Sequence, residues 1–161
     1  MEILIKPMET EAEIQGRAYV HWRSWQDAYK GLVDPSFLHS LSREKFERLA
    51  RQPDTVLIAK DGDRVVGFIS CGPCRDEDLP DAGEVYAIYV LEEYYGKRVG
   101  YRLMSAALER LASSPRVIVW VLRGNERAIR FYLRCGFRFD GCEKELVLGT
   151  PITEKRLVLA R

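Results

Sequence analysis

A turn at residues 94–102, with the sequence YYGKRVGYR, has the residue types that bind a phosphate group. Gly96 and Gly100 let the backbone turn tightly and approach a ligand closely. A helix is predicted directly after the turn, and its first N–H groups would lie free at the positive end of the helix dipole. Three basic side chains add charge: Lys97, Arg98 and Arg102. A diphosphate suits this turn, and the alternative is an ordinary strand–helix turn with solvated basic residues.

The cysteines and histidines do not predict a metal site. Cys71 and Cys74 form a C-x-x-C pair, but Cys135 and Cys142 do not repeat that spacing, as a tetrahedral zinc site of four cysteines would require. The pair follows a predicted strand and does not open a helix, unlike a thioredoxin site. We therefore expect four reduced thiols and no bound metal.

The overall composition is that of a globular protein. The chain has 161 residues and a net charge of +1, from 25 basic and 24 acidic residues. This balance gives no charge signature for nucleic acid or for an anionic membrane. No apolar run is long enough for a signal peptide or a membrane span. We expect a single domain over residues 1–161, located in the cytoplasm.

The elements that must position these residues alternate along the chain. Strands are predicted at residues 3–6, 55–59, 64–70, 84–91, 116–122, 137–142, 145–148 and 155–160. Helices are predicted at residues 11–29, after Asp34, after Ser42, at 98–113 and at 125–134. The order indicates an α/β fold with helices on both faces of a mixed sheet.

Three stretches together resemble the GNAT family of N-acetyltransferases. Residues 83–104 resemble its acetyl-CoA-binding core, GEVYAIYVLEEYYGKRVGYRLM. Residues 125–137 are similar to a helix motif of the family, NERAIRFYLRCGF, and residues 24–42 to its N-terminal helices. Tyr95 stands where the family usually has Gln or Arg, and Arg98 where it usually has Gly. Since Arg98 has a Cβ atom, we expect ordinary backbone angles there.

The resemblance implies a fold, a reaction and a cofactor. The fold would be a mixed, mostly antiparallel sheet of about seven strands flanked by about four helices. The reaction would be acetyl transfer from acetyl-CoA to a primary amine of a small molecule, peptide or protein, by direct attack in a ternary complex. No metal, nucleic acid or membrane would take part, and a homodimer would be compatible. Two alternatives stay open: transfer of another short acyl group, and a CoA-sensing module without turnover.

The resemblance also implies roles for individual residues. Tyr132 would be the acid that protonates the leaving thiolate, and Glu84 the base that deprotonates the amine. The alternatives are packing for Tyr132 and a solvent-facing strand-edge acid for Glu84. The cofactor would be held by two groups of residues, Ile88, Tyr89 and Val90 on the strand, and Tyr95, Gly96, Lys97, Arg98, Val99, Gly100, Tyr101 and Asn125 around the turn. Asn125 is expected to cap its helix in either case.

The acceptor side is less well defined by sequence. Trp25, Tyr29 and Tyr86 are predicted to line it, and a strand face shared by Glu84, Tyr86, Ile88 and Val90 is expected from simple alternation. An acidic loop would suit a cationic amine through its four carboxylates, Asp76, Glu77, Asp78 and Asp81. The alternative is that the tryptophan belongs to the core and that the loop acids are solvated.

Overall fold

One seven-stranded sheet with helices on both faces forms the described part of this computed structural model, residues 2–51 and 55–161. The elements are β1 Ile3–Pro7, α1 Glu11–Ala28, α2 Pro35–Ser40, α3 Arg43–Ala50, β2 Thr55–Asp61, β3 Arg64–Pro73, β4 Gly83–Val90, α4 Val99–Arg110, β5 Arg116–Leu122, α5 Glu126–Arg134, β6 Arg138–Leu148 and β7 Thr150–Ala160. The predicted α/β fold is confirmed. The two strand segments predicted within residues 137–148 are one strand, β6, with an irregular register between Phe139 and Glu143.

The strands lie in the order β1-β2-β3-β4-β5-β7-β6. Every neighbouring pair is antiparallel except β4 and β5, which run parallel. Helix α4 makes the crossover between these two strands, as a parallel connection requires. The mixed, mostly antiparallel sheet is therefore confirmed.

Capping residues explain where the helices begin. Thr10 and Glu13 form a reciprocal capping box at the start of α1. Ser42 accepts a hydrogen bond from the Lys45 N–H at the start of α3, and Asn125 accepts one from the Ala128 N–H at the start of α5. Both of the latter caps are the ones that the sequence predicts.

The side chains of strand β5 alternate between the two faces of the sheet and so show what covers each face. Val117, Val119 and Val121 belong to the cluster that holds Leu103 of α4, and we call this side the α4 face. Leu122 packs with residues of α1, α2 and α3, and we call its side the α1 face. Ile118, on the same side as Leu122, lies under the loop between β3 and β4. No helix in the described residues is long and apolar enough to cross a membrane.

A bulge in β4 changes which of its side chains share a face. Ser70 pairs with Ala87 but Cys71 pairs with Val85, so Tyr86 is an extra residue. Beyond it, Tyr89 stacks on His21 of α1 on the α1 face. The next residue, Val90, lies with Leu103 beside Gly67 on the α4 face.

The expectation of one face for Glu84, Tyr86, Ile88 and Val90 is therefore wrong. Glu84 pairs with Ile118 on the α1 face, and the bulge moves Ile88 and Val90 to the other side. A one-residue insertion in a strand reverses every later side chain, and nothing in the sequence pattern marks its place.

Glu13 connects α1 to the edge of the sheet. Its buried carboxylate accepts hydrogen bonds from Lys6 of β1 at 2.7 Å and from Lys60 of β2 at 3.1 Å. It also accepts the backbone N–H groups of Glu9 and Thr10. The Lys6 ammonium and these further donors lower the pKa of Glu13 to about 2.

We expect Glu13→Gln to lower the free energy of unfolding by roughly 1–2 kcal/mol at pH 7, because two lysines lose a buried, charged acceptor. The pKa of Glu13 lies below its ordinary value of 4.5, so its contribution is complete above that pH and is lost as the pH falls toward 2. Urea unfolding at pH 7 and pH 3 measures this. Glu9→Gln is the control, since the Glu9 side chain is 66% exposed. A difference between the Glu13→Gln variant and wild type that is the same at both pH values would contradict the assignment.

Candidate active site

The sheet opens between β4 and β5. The two strands pair only along Gly83, Glu84 and Val85, which face Val117, Ile118 and Val119. Beyond this point β4 stays paired with β3 and β5 stays paired with β7. A wedge therefore separates the second halves of the parallel strands, and the backbone of residues 86–90 borders it. Backbone N–H and C=O groups in such a position need partners.

The turn after β4 leads from this wedge to the start of α4. A short 3₁₀ turn, Glu92–Tyr94, precedes Gly96, which has a φ of 75°. Arg98 then has a φ of 65°, in the left-handed region, and is the N-cap of α4. The expectation of ordinary angles at Arg98 is thus wrong, because the chain must reverse here to start the helix. A left-handed residue followed by a helical one aims successive N–H groups at one point, and such a nest binds anions.

Free amides are present at this turn. The first intrahelical hydrogen bond of α4 runs from the Arg102 N–H to the Arg98 carbonyl. The N–H groups of Val99, Gly100 and Tyr101 precede it and have no intrahelical acceptor. Among the described residues, no atom lies within 4 Å of where a Cβ atom on Gly96 would stand. The turn therefore offers open space and backbone donors, as predicted for a diphosphate site.

The basic side chains around the turn have different orientations. Arg102 donates to the Ile3 carbonyl of β1 at 2.6 Å, so its predicted contribution to the phosphate site is wrong. Lys97 and Arg98 are exposed and lie against the rings of Tyr94 and Tyr101, at 5.4 and 5.6 Å. Both remain close to the turn.

Arg127 of α5 brings a further positive charge that the sequence analysis missed. Its guanidinium stacks on the Tyr95 ring at 3.3 Å. Tyr95 is the position where Gln or Arg is usual, so the charge next to it comes from another helix. The position of Arg127 next to Tyr95 follows from the contact between α4 and α5. Gly100 allows this close contact, because a Cβ atom on Gly100 would lie only 3.1 Å from the Phe131 ring.

Two phenols form a hydrogen-bonded pair, and a third is buried on α5. The Tyr29 and Tyr89 hydroxyl groups lie 2.8 Å apart, and Trp25 packs edge-on against Tyr29 at 4.6 Å. Tyr132 of α5 is buried between Phe131 and Phe137. Burial raises the pKa of Tyr29 to about 12, and it raises the pKa of Tyr132 as well. The phenols therefore keep their protons at neutral pH.

Glu84 is fully buried, with 1% of its surface exposed. Its carboxylate accepts hydrogen bonds from the Arg75 backbone N–H at 3.0 Å and from the Arg75 guanidinium at 2.7 and 3.3 Å. The alternative of a solvent-facing acid is thus wrong. Arg75 also lies over the Tyr86 ring at 4.5 Å, and the Tyr86 hydroxyl donates to the Pro73 carbonyl.

The aspartates of the acidic loop form ion pairs with arginines of the neighbouring strands. Arg156 of β7 is 5% exposed and forms ion pairs with Asp76 at 3.0 Å and Asp78 at 2.8 Å from the loop, and with Asp140 of β6 at 2.7 Å. Asp81 pairs with Arg116 at 2.8 Å. The expectation that these aspartates form a free surface for a cationic amine is wrong, because a buried guanidinium requires such partners. Glu77 is exposed.

Histidine and cysteine take no evident part in the site. His21 lies between the rings of Phe46, Phe68, Tyr89 and Trp25, and burial lowers its pKa to about 3. It is therefore neutral. The four cysteines are free thiols, and burial raises the pKa of Cys135 to about 11.

A family model, the acetyltransferase (GNAT) family, matches residues 19–137. The chain belongs to the GNAT family. It is 35% identical over 125 residues to the uncharacterized N-acetyltransferase YuaI of Bacillus subtilis, a match that covers 74% of this chain and 72% of the relative.

Two solved structures have the same fold over almost their whole length. PH1933 of Pyrococcus horikoshii superposes with a TM-score of 0.80 at 19% identity and 99% coverage of both chains. The PaiA N-acetyltransferase of Thermoplasma acidophilum, in complex with coenzyme A, superposes with a TM-score of 0.77 at 19% identity and full coverage of both chains. This GNAT chain therefore has the fold of a protein that holds coenzyme A.

Coenzyme A also fits the residues present here. It has a diphosphate for the amides at the start of α4 and an amide-containing arm for the unpaired backbone of β4. The open space at Gly96 leaves room for the diphosphate. These features agree with the coenzyme A held by the Thermoplasma acidophilum protein of the same fold.

We expect Arg98→Gly to raise the free energy of unfolding by up to about 1 kcal/mol. A left-handed residue with a Cβ atom is strained by roughly 1–2 kcal/mol, and part of that gain is offset by the greater freedom of glycine in the unfolded chain. Arg98→Ala is the matched control: it removes the guanidinium but retains the Cβ atom, so its stability should be close to wild type. Thermal unfolding of the three proteins tests this, and an Arg98→Gly variant less stable than wild type would show that Arg98 is not strained.

Proposed function

We propose that this GNAT protein is an N-acetyltransferase that moves an acetyl group from acetyl-CoA to a primary amine by direct attack in a ternary complex. The observation that carries the proposal is the wedge between β4 and β5, because β4 leads from it directly to the turn at Arg98 that starts α4. The free thiols are compatible with a reducing cytoplasm as its location.

The cofactor is proposed to lie along the wedge. The amides of residues 98–101 bind the diphosphate, with Lys97, Arg98 and Arg127 close by. The Val90 backbone pairs with the pantetheine arm, and the Ile88 N–H polarises the acetyl carbonyl. Acetyl-CoA supplies an activated thioester, whose carbonyl carbon the amine attacks.

Tyr132 is proposed as the acid for the departing sulfur. A thiol has an ordinary pKa of about 8.5 and a phenol one of about 10, so the thiolate is the weaker base. At short range the Tyr132 hydroxyl therefore stabilises the leaving thiolate by donating a hydrogen bond to it, and the proton transfer is completed as a proton lost by the attacking nitrogen restores the phenol. The buried surroundings of Tyr132 keep that proton in place until negative charge develops next to it. The hydrogen-bonded pair of Tyr29 and Tyr89, together with Trp25, is proposed to shape the acceptor pocket.

The proposed role of Glu84 as the base has a structural condition. Its carboxylate is held by Arg75 through three hydrogen bonds. The Arg75 side chain is 65% exposed, so it can leave Glu84 without disturbing the core. Glu84 accepts a proton from the amine only when Arg75 has moved. Tyr86, whose ring lies under the Arg75 guanidinium, is proposed to contact the acceptor at this place.

We expect acetyl-CoA to bind with release of heat and to raise the melting temperature, since the ligand binds the folded chain alone. Spermidine, tyramine and a lysine-bearing peptide are tested as acceptors, and with at least one of them the enzyme should release free CoA from acetyl-CoA. The release of CoA is measured by detecting its thiol. Succinyl-CoA and propionyl-CoA serve as controls for acyl-chain preference. Binding without turnover across the amines would favour a CoA sensor, and absence of any binding at millimolar CoA would overturn the family's cofactor for this chain.

We expect Tyr132→Phe to lower kcat about 100-fold while the Kd for acetyl-CoA stays within about twofold, because only the proton donor is lost. Steady-state kinetics and calorimetry measure the two quantities. Tyr19→Phe, a change on α1 outside the proposed site, is the control. An unchanged kcat in the Tyr132→Phe variant would assign Tyr132 to packing.

A further inference from the structure

A second carboxylate, Glu154, lies on the α1 face of the sheet. Glu154 of β7 pairs in register with Leu122 of β5, and Leu122 packs against α1, α2 and α3. After burial, the negative charge of Glu154 is among the causes that raise the pKa of both Tyr29 and Tyr132. Glu154 is thus within electrostatic reach of the group proposed to protonate the thiolate.

Glu154 differs from Glu84 in how firmly it is held. Its one ion pair among the described residues is with Lys144 of β6, at 3.8 Å, the outer limit for such a contact. The Lys144 ammonium lies over the Trp120 ring at 4.1 Å, so the ring competes for the same cation. Glu84, by contrast, has Arg75 at 2.7 Å. The carboxylate with the weaker partner is the one available to an incoming cation.

The surroundings of Glu154 also favour proton transfer. Its side chain is 24% exposed, so it is accessible from solvent yet partly desolvated. Burial raises the pKa of Glu154, Lys144 and Arg75 lower it, and the negative charge of Glu84 raises it. A carboxylate whose pKa is raised is a stronger base than an ordinary surface glutamate.

We propose that, while Arg75 holds Glu84, it is Glu154 that binds the ammonium group of the acceptor and takes the proton that the amine must lose before attack. This rests on the proposed acetyltransferase function and adds an acceptor class, cationic primary amines, together with the residue that receives them. A positive charge entering between Glu154 and Tyr29 would find a carboxylate and aromatic faces together.

The protons balance in this scheme. One N–H bond of the ammonium breaks, and its proton goes to a Glu154 carboxylate oxygen and then to water. The nitrogen lone pair forms the C–N bond to the acetyl carbon, the C–S bond breaks, and the electron pair leaves on sulfur. Sulfur takes the Tyr132 proton, and the second proton lost by nitrogen restores the phenol. The sum is ammonium plus thioester giving amide, thiol and one proton.

The first test reads the carboxyl group directly. In protein labelled with δ-¹³C glutamate, the resonance lost in Glu154→Gln identifies Glu154. We expect its titration midpoint to lie above 4.5, the ordinary value for glutamate, and to fall when spermidine, tyramine or a lysine-bearing peptide is added, because a bound ammonium stabilises the carboxylate. Lys144, Arg75 and Glu84 are the charged groups that act on it, and its own charge acts on Tyr29 and Tyr132. A midpoint unmoved by all three amines overturns the proposal.

The second test uses kinetics. Glu154→Gln should lower kcat/KM for the amine about 100-fold and remove the acidic limb of its pH profile, with the Kd for acetyl-CoA unchanged. Glu145→Gln, an exposed carboxylate of the neighbouring strand β6, is the control. A wild-type rate and profile in the Glu154→Gln variant, alongside a loss in Glu84→Gln, would return the role to Glu84.

The two proposals fail in different ways. If the wild type does not bind acetyl-CoA, the acetyltransferase function fails, whatever the carboxyl titration shows. If the wild type binds and turns over but the Glu154→Gln variant is indistinguishable from it, only the role of Glu154 fails.

Discussion

The early end of the parallel pairing between β4 and β5 is the constraint on which the site depends. The two strands share three residue pairs and then separate, although each continues in the sheet with its other neighbour. A strand that is paired on one side only carries a row of free backbone groups on the other. At an outer edge such a row is an aggregation hazard, but in the middle of a sheet it is a place for an extended ligand. The pantetheine arm of coenzyme A is a ligand of this kind.

The bulge at Tyr86 gives this opening two different walls. It lies directly after the last residue pair shared with β5, and it reverses the side-chain alternation. Glu84 and Tyr89 consequently lie on the α1 face, where an acceptor can arrive, and Val90 lies on the α4 face against Leu103. The cofactor and acceptor halves of the proposed site thus meet at one irregularity of the backbone.

The sequence predicted what depends on local pattern. The strand and helix order, the caps at Ser42 and Asn125 and the glycine turn before α4 are short-range features, and all are present. The contacts that connect distant segments were not predicted. Arg75 on Glu84 and the aspartates around Arg156 depend on how the loop and β7 come together. Arg127 on Tyr95 depends on the contact between α4 and α5. Charge counts along the chain do not reveal which carboxylates are already paired.

The ion pairs within the protein determine which carboxylates are available to a cationic acceptor. Asp76 and Asp78 fix the loop to Arg156, and the loop carries Arg75 onto Glu84. The carboxylates of Asp76, Asp78 and Glu84 are therefore paired at short distance with the guanidinium groups of Arg156 and Arg75. Glu154 is held less firmly, since its cation lies 3.8 Å away and is shared with an indole ring. A cationic amine gains most where a carboxylate is desolvated but not yet satisfied, and for this reason the proposed mechanism gives the acceptor's charge to Glu154 of β7.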